Sequence, residues 1–295
     1  MIRRWLSFVK FSHTVFALPF ALAAMAVAAR DDRGWPGWRK SGLILAAMVC
    51  GRTCAMAFNR IADRKFDALN PRTANRHLPT GEVRLGEATV LCVLAGAGLV
   101  VASFFLNRVC FYLSPVALGA ICFYSLTKRF TDYTHAFLGI ALALAPVGAW
   151  LAVRGTEVTG WEIAQMLVLA AAVVLWLVGF DIIYALQDYE FDRTHGLHSL
   201  VVAWGPRNAL QAAMLAHMVT AGLLLAFGLL CQFRVAYVVG WFLIVGCLFL
   251  EHWIARRRSL DWINVAFFRL NAVVSFVFLA MVILEVVFQG GFRLG

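Results

Sequence analysis

The chain has 295 residues, of which 62% are hydrophobic and only 14% are charged. Soluble domains average about 45–50% apolar and about 25% charged residues, so the composition excludes a soluble globular protein and a disordered chain. The seven cysteines show no CxxC spacing, which excludes a disulfide or zinc scaffold. The net charge of +10 accompanies this hydrophobicity, so we interpret it as membrane topology and exclude nucleic acid as a partner.

The first apolar run follows Arg3, Arg4 and Lys10 and ends in small residues, as a secretory signal does. Apolar segments continue along the whole chain, so we interpret this run as a retained transmembrane helix. A span needs roughly 20 mainly apolar residues. Nine segments meet this requirement, at residues 12–29, 43–59, 86–106, 109–126, 133–153, 162–186, 207–231, 234–254 and 263–288.

These spans must be helical, because unpaired backbone groups are not tolerated in lipid and the alternating pattern of a β-barrel is absent. Thr159-Gly160-Trp161-Glu162 is typical of a capping box and predicts the start of the sixth helix. The sequence therefore predicts an all-α, multi-pass bundle that forms one integral-membrane domain over residues 1–295.

The loops on the two sides of the membrane differ in charge. The N-terminus and the loops after the second, fourth, sixth and eighth spans carry about twice as many Lys and Arg residues as the opposite side. The positive-inside rule therefore predicts that this first set lies in the cytoplasm, with the protein in the inner membrane.

Two spans continue into acidic stretches at that side. Five of the nine aspartates lie there, as Asp63 and Asp67 after the second span and Asp181, Asp188 and Asp192 around the end of the sixth. Each stretch contains D-x-x-x-D with Phe before the last Asp, which hints at an internal repeat with a site at its interface. At helical spacing, Asn59 shares a face with Asp63 and Asp67.

Carboxylates near hydrocarbon are costly, so a cation is expected to compensate for them. Hard oxygen ligands without paired His or Cys favour Mg²⁺, which is commonly completed by substrate phosphates. The alternative is a solvated helix end on which the aspartates pair with Arg60, Arg64 and Lys65. That alternative becomes less attractive because both stretches share their spacing and their side of the membrane.

Basic residues near the aspartates suit a diphosphate, whose oxygens Arg forks and Lys charges commonly bind. Arg72 and Arg76 lie in a long loop, and Lys128 follows Tyr124 at the end of the fourth span. Arg52 lies two turns before Asn59 within an apolar helix. It either snorkels to the surface or points into the same cavity as the aspartates.

Together these motifs resemble the UbiA superfamily of intramembrane aromatic prenyltransferases. The likeness rests on N-x-x-x-D-x-x-x-D, followed by R-T-A-N-R-x-L-P-x-G, and on D-x-x-Y-A-x-Q-D-x-x-x-D after a hydrophobic helix. Tyr124-Ser125-Leu126-Thr127-Lys128-Arg129 resembles the YxxxK segment of the family, and Ser12-His13-Thr14 favours its 4-hydroxybenzoate polyprenyltransferase branch. His77 and Val201-Val202-Ala203-Trp204-Gly205 depart from the common pattern.

The resemblance implies nine helices around a central cavity and Mg²⁺-dependent transfer of a polyprenyl group to a ring carbon of an aromatic acid. The acceptor would be 4-hydroxybenzoate or a dihydroxynaphthoate, as in ubiquinone or menaquinone biosynthesis. The implied metal ligands are Asn59, Asp63, Asp67, Asp188 and Asp192, supported by Asp181. Arg72, Arg76 and Lys128 would bind phosphate oxygens, Tyr124 would lie near the leaving group, and Arg52 is a candidate for the acceptor carboxylate.

Two other functions are compatible with a polar helical bundle. A secondary transporter or carrier of an isoprenoid diphosphate also needs polar groups within the membrane, although transporters usually place them near the midplane on broken helices. A non-catalytic scaffold has no use for five costly aspartates.

Overall fold

The computed structural model of the chain describes residues 2–10, 14–256 and 266–288. Ser12, His13 and residues 263–265 of the predicted ninth span lie outside the described residues. Eleven α-helices are present in the described part: α1 (Ile2–Phe8), α2 (Thr14–Ala28), α3 (Trp38–Leu69), α4 (Leu85–Leu106), α5 (Arg108–Phe123), α6 (Thr134–Arg154), α7 (Gly160–Ala185), α8 (Tyr189–Thr194), α9 (Leu200–Leu230), α10 (Val235–Arg256) and α11 (Asn271–Phe288).

The all-α, multi-pass fold class is confirmed. Eight helical segments in the described residues are long and apolar enough to cross a membrane. The first predicted span, residues 12–29, corresponds to α2, which has only 15 residues and is too short to be counted among these eight. Large apolar side chains are exposed along the outer helices, among them Val93, Val116 and Phe242, as expected for a lipid-facing surface.

The core lies where α2, α6, α7, α9, α10 and α11 pack together. Its largest fully buried side chains include Trp150, Trp176, Phe20 and Phe278. Alanines on one face of α2 are almost completely buried in the same cluster, so the first apolar run forms part of the interior of the bundle.

Helices α3 and α7 continue into the two acidic stretches in different ways. As predicted, α3 extends past residue 59 through Asp63 and Asp67, to Leu69, and has 32 residues. At 1.5 Å per residue it is about 48 Å long, well beyond the hydrocarbon thickness. After α7, a 3₁₀ turn at Leu186–Asp188 separates it from α8, so Asp181, Asp188 and Asp192 do not lie on one continuous helix.

Other local predictions agree with the structure. The capping box at the start of α7 is confirmed, because the Thr159 hydroxyl accepts from Glu162 N and the Glu162 carboxylate accepts from Thr159 N. Helix α9 begins at Leu200, seven residues before the predicted span. It bends at Gly205, which has a φ of 76° and is followed by Pro206.

Helices α6 and α7 approach each other closely at Gly139. A Cβ atom at this position would lie 2.8 Å from the carbonyl oxygen of Val174. This contact is backbone, which cannot move aside as a flexible side chain does. The absence of a side chain at Gly139 therefore sets the spacing of these two helices.

We expect Gly139→Ala to force α6 and α7 apart and to destabilise the protein by about 1–3 kcal/mol. Gly148→Ala in the same helix is the matched control, since a Cβ atom there has no neighbour within 4 Å. Thermal unfolding in detergent measures the difference. Equal melting temperatures for the two variants would contradict the assigned packing.

Candidate active site

The two acidic stretches meet in one pocket at a common end of the bundle, with a volume of about 260 Å³. Helix α3 supplies one wall, and α7 and α8 supply the opposite wall. The structure brings together all of the residues singled out in the sequence: Arg52, Asn59, Asp63, Asp67, Arg72, Arg76, Tyr124, Lys128, Asp181, Asp188 and Asp192 line this pocket.

The loop after α3 has a defined shape that directs two arginines into the pocket. Pro71 follows the end of the helix, and the Asn70 side chain accepts from the backbone N–H of Arg72. The Thr73 hydroxyl donates to the carbonyl oxygen of Asp67, at the end of α3. These turns allow Arg72 to reach across the pocket and Arg76 to reach back to α3.

Arg72 connects the loop with the opposite wall. Its guanidinium group donates to both carboxylate oxygens of Asp188, with an Nε–Oδ1 distance of 2.8 Å. It also donates to the Tyr184 hydroxyl, and the Asn70 amide donates to the same carboxylate. Asp188 is therefore held by two side chains that are more than a hundred residues away in sequence.

The other carboxylates are also engaged. Asp67 accepts from Arg76 Nη1 at 2.6 Å, and its second oxygen lies 3.9 Å from Arg60. Asp192 lies 3.3 Å from Lys128 Nζ, and Asp63 accepts from the Asn59 amide. In this structure, the cations predicted to bind phosphate are paired with the carboxylates predicted to bind metal.

The donor set of the pocket suits Mg²⁺. All nearby candidate ligands are carboxylate or amide oxygens, and the Oδ2 atom of Asp67 is buried without a hydrogen-bond partner. Among the described residues, no three His, Cys, Asp or Glu side chains converge closely enough to hold a metal. Oxygen ligands are those that Mg²⁺ prefers, with water and substrate phosphate completing its coordination.

Arg52 lies deeper than these pairs and points into the cavity. Its Nε atom is buried without a partner, and it makes no hydrogen bond or ion pair to a described residue. The sequence left open whether this residue snorkels or lines the site, and its position favours the second. Arg52 is partly buried and has no counter-ion among the described residues, so its guanidinium group can bind an anionic ligand.

A second, apolar cavity of about 280 Å³ adjoins the pocket. Four residues line both spaces, namely Phe16, Arg52, Tyr124 and Leu142. The second cavity continues between α3, α4, α5 and α6 to Leu106, Cys110 and Ala152 at the other end of the bundle. A polar chamber thus opens directly into a long apolar one.

Sequence reasoning missed several lining or supporting residues. Lys10, just after α1, lines the pocket, although the sequence identified it only as a topology signal. Burial and then the charges of Arg60, Arg76, Arg72 and Arg52 lower the pKa of Lys10 to about 7. Asn70 holds Asp188, and His135 hydrogen-bonds to Asp181; neither contact is visible in local spacing.

Comparisons with known proteins agree with this arrangement. The UbiA prenyltransferase family model matches residues 17–280. The chain is 33% identical over 230 residues to a 4-hydroxybenzoate octaprenyltransferase of Burkholderia lata, covering 77% of each protein. It is 30% identical over 246 residues to the Tolumonas auensis protein of that name, covering 83% of this chain and 84% of the relative.

Solved structures share the fold. The apo structure of a UbiA homolog from Aeropyrum pernix K1 superimposes with a TM-score of 0.83 at 33% identity, covering 92% of this chain and 98% of that one. A UbiA homolog from Archaeoglobus fulgidus bound to GPP and Mg²⁺ gives a TM-score of 0.73 at 21% identity, covering 96% and 99%. The family match covers most of the sequence, and this chain belongs to the UbiA prenyltransferase family.

Proposed function

We propose that this protein transfers a polyprenyl group from a polyprenyl diphosphate to a ring carbon of an aromatic acid in quinone biosynthesis. The acceptor in this proposal is 4-hydroxybenzoate or a dihydroxynaphthoate. The observation that carries the proposal is the junction between a charged pocket and an apolar cavity inside one bundle. A donor with an anionic head and a long isoprenoid tail matches both halves.

The head of the donor would occupy the charged pocket. Arg72, Arg76 and Lys128 can turn from their carboxylates to the phosphate oxygens, because charge-assisted hydrogen bonds to phosphate replace those to carboxylate. These cations would stabilise negative charge as it develops on the departing diphosphate, where an electrostatic catalyst has most effect. Tyr124, which lines both spaces, would lie beside the leaving group.

The carboxylates released by this exchange are the proposed metal ligands. Asn59, Asp63 and Asp67 on α3 and Asp188 and Asp192 on the opposite wall would hold Mg²⁺ against the donor. When bound, Mg²⁺ would neutralise the diphosphate and make it a better leaving group. The homolog that is bound to GPP and Mg²⁺ has the same fold.

The tail would enter the apolar cavity. A cavity of about 150 Å³ takes up a benzene molecule, so one of about 280 Å³ accommodates roughly two isoprene units. A longer chain must continue into lipid. None of the described residues that line this cavity is acidic, so the developing allylic cation would be stabilised only at the junction with the pocket.

The acceptor would lie beneath the diphosphate, at the level of Arg52. An electron-rich phenol or naphthol ring is needed to trap an allylic cation before water does. Arg52 has no described counter-ion and lies seven residues, or about 10 Å, deeper than Asn59 along α3. Its guanidinium group is therefore available to bind the carboxylate of an aromatic acid.

A carrier of isoprenoid diphosphates is the alternative function. The charged pocket lies at helix ends on one side of the bundle, whereas transporter sites commonly lie near the midplane. Transport leaves the diphosphate bond intact, so release of inorganic diphosphate separates the two functions.

The test is incubation of membranes with a labelled polyprenyl diphosphate, Mg²⁺ and a panel of aromatic acids, followed by mass spectrometry of the lipids. We expect one acid to be prenylated, with an equal amount of diphosphate released. Movement of unchanged donor without any prenylated product would instead support the carrier.

We also propose that the pocket opens to the cytoplasm from the inner membrane, on the basis of the loop charges. Arg193→Cys next to the pocket should react with a membrane-impermeant maleimide only in inverted vesicles. Glu157→Cys, at the other end of the bundle, should react only in right-side-out vesicles. The reverse pattern would overturn the orientation.

Asp188→Asn and Asp192→Asn should each lower prenyl transfer by at least about a hundredfold, because each removes an anionic ligand without changing side-chain size. The same result is expected for Asp63→Asn and Asp67→Asn. Asp31→Asn is the control, since this exposed carboxylate lies at the opposite end of the bundle. Near-normal turnover in the Asp188 and Asp192 variants would leave the metal–diphosphate mechanism without support.

Arg52→Gln should raise the KM for the acidic acceptor while leaving donor affinity nearly unchanged, because the lost charge faces the acceptor level. Steady-state kinetics with each substrate varied in turn measures both values. If only donor affinity falls, Arg52 belongs to the diphosphate site and the reason for an acidic acceptor disappears.

Lys10 predicts a pH dependence of donor binding. Its pKa of about 7 means that its charge is present below pH 7 and lost above it. Donor affinity should therefore weaken as the pH rises from about 6 to 8. Lys10→Arg keeps its charge throughout, so the ratio of donor Kd between the natural protein and this variant should grow with pH. A constant ratio would show that Lys10 does not contact the diphosphate.

A further inference from the structure

Asp181 differs from the other aspartates that line the pocket. Each of the others is engaged by a cation or an amide at the diphosphate level: Asp63 by Asn59, Asp67 by Arg76, Asp188 by Arg72 and Asp192 by Lys128. Asp181 lies within α7, before the 3₁₀ turn that contains Asp188. It is paired with a histidine instead.

The partner of Asp181 is His135, one residue after the start of α6. The His135 Nδ1 atom lies 2.6 Å from Asp181 Oδ2. The His135 side chain is 1% exposed, whereas 20% of the Asp181 side chain remains accessible. His135 Nε2 is buried without a hydrogen-bond partner, so Nδ1 makes the one hydrogen bond of this ring among the described residues.

This pair is firmly located because α6 and α7 are in contact near it. Gly139, one turn after His135, brings the helices so close that a Cβ atom would meet the Val174 carbonyl oxygen. Asp181 lies two turns beyond Val174 on α7. His135 therefore fixes one carboxylate oxygen, and the second has no hydrogen-bond partner among the described residues.

Asp181 and Arg52 line the same pocket, together with Tyr124 and Phe180. Arg52 lies on α3 and Asp181 lies on α7, so they belong to the two opposite walls. Asp181 makes no hydrogen bond or ion pair with an Arg, Lys or amide side chain of the described residues. If Arg52 binds the carboxylate of the acceptor, Asp181 is the aspartate of the opposite wall that is left to face the ring.

We propose that Asp181 is the base that removes the ring proton after alkylation and that His135 is the positioning residue that holds it. This inference rests on the proposed prenyl transfer. It assigns a task that the diphosphate-binding residues do not perform.

The electrons balance as follows in the proposed reaction. The C1–O bond of the donor breaks, and its electron pair leaves with the diphosphate. A π electron pair of the ring forms the new bond to C1, which leaves a positive charge on the ring and a hydrogen on the alkylated carbon. Asp181 takes that hydrogen as a proton, the C–H electrons restore aromaticity, and the carboxyl group later releases the proton to water.

In other catalytic sites the base is commonly oriented by a hydrogen bond from a further side chain. His135 would do this for Asp181. The hydrogen bond from His135 to Oδ2 fixes the orientation of the Asp181 carboxylate, so that its other oxygen can face the ring. The competing base is the departing diphosphate. If diphosphate removes the proton, neither Asp181 nor His135 affects that step.

The test uses an acceptor that the natural protein prenylates, either unlabelled or deuterated at the reacting ring carbons, in single-turnover reactions. With the natural protein we expect equal rates, because breakage of the donor C1–O bond is slower than proton loss. The Asp181→Asn variant should form product at least about a hundredfold more slowly than the natural protein, and its rate should show a clear primary isotope effect. His135→Leu should also lower the rate and produce an isotope effect.

His135→Asn is the matched control, since its amide nitrogen occupies the place of Nδ1 and can still donate to Asp181. We expect it to recover most of the rate and to lose the isotope effect. Donor Kd should be unchanged in all three variants, which separates loss of the base from loss of the fold.

A slow Asp181→Asn or His135→Leu variant without an isotope effect would overturn the assignment, and so would a variant with a normal rate. A His135→Asn variant as slow as His135→Leu would remove the positioning role. If the natural protein prenylates no acceptor, the proposed function itself fails, and that result is separate from the behaviour of the variants.

Discussion

The pairing of carboxylates with arginine and lysine across the pocket is the constraint on which the rest of the site depends. Asp67, Asp188 and Asp192 are nearly completely buried, and a charge in such a place is stable only with a partner. Arg72 and Lys128 come from segments remote from α7 and α8, so their ion pairs also connect the two walls. The groups that form these ion pairs are the same groups that a metal and a diphosphate would engage.

These ion pairs stabilise the pocket and can also be exchanged for contacts with a charged ligand. Removing one member of a buried pair typically costs about 3–5 kcal/mol, because it leaves the other charge uncompensated. A ligand that supplies an anion and a cation together avoids this cost, since each protein group exchanges one partner for another. Arg52 forms no ion pair with a described residue, and Asp181 hydrogen-bonds to His135 and not to one of these cations. The diphosphate level and the acceptor level are thus electrostatically different.

The apolar cavity would determine how the donor is oriented in the site. Phe16, Arg52, Tyr124 and Leu142 form the boundary between charged and apolar space. A donor with its head among the ion pairs must place its reactive carbon near this boundary. The ring that receives the carbon would then lie between Arg52 and Asp181, on the apolar side of the diphosphate.

Local sequence patterns predicted the helices and the acidic stretches well, because hydrophobic length and 3.6-residue spacing act within one element. The predicted site residues all line one pocket, although their roles remain predictions. The His135–Asp181 bond could not be predicted, since it depends on the register of α6 against α7 at Gly139. Lys10 was also missed, because a lone lysine before an apolar run has the same pattern whether it marks topology or lines a site. The 3₁₀ turn after α7 was not predicted, because Leu186, Gln187 and Asp188 include no Gly or Pro that would mark a break in the helix.

The most direct test of the exchange of ion-pair partners is a structure of the protein with Mg²⁺ and a non-hydrolysable polyprenyl diphosphate analogue. In the structure described above, Arg72 Nε lies 2.8 Å from Asp188 Oδ1. We expect this pair to separate when the analogue binds, so that Arg72 contacts the phosphate oxygens and Asp188 faces the metal. An Arg72–Asp188 pair that stays intact while the analogue occupies the pocket would contradict this expectation.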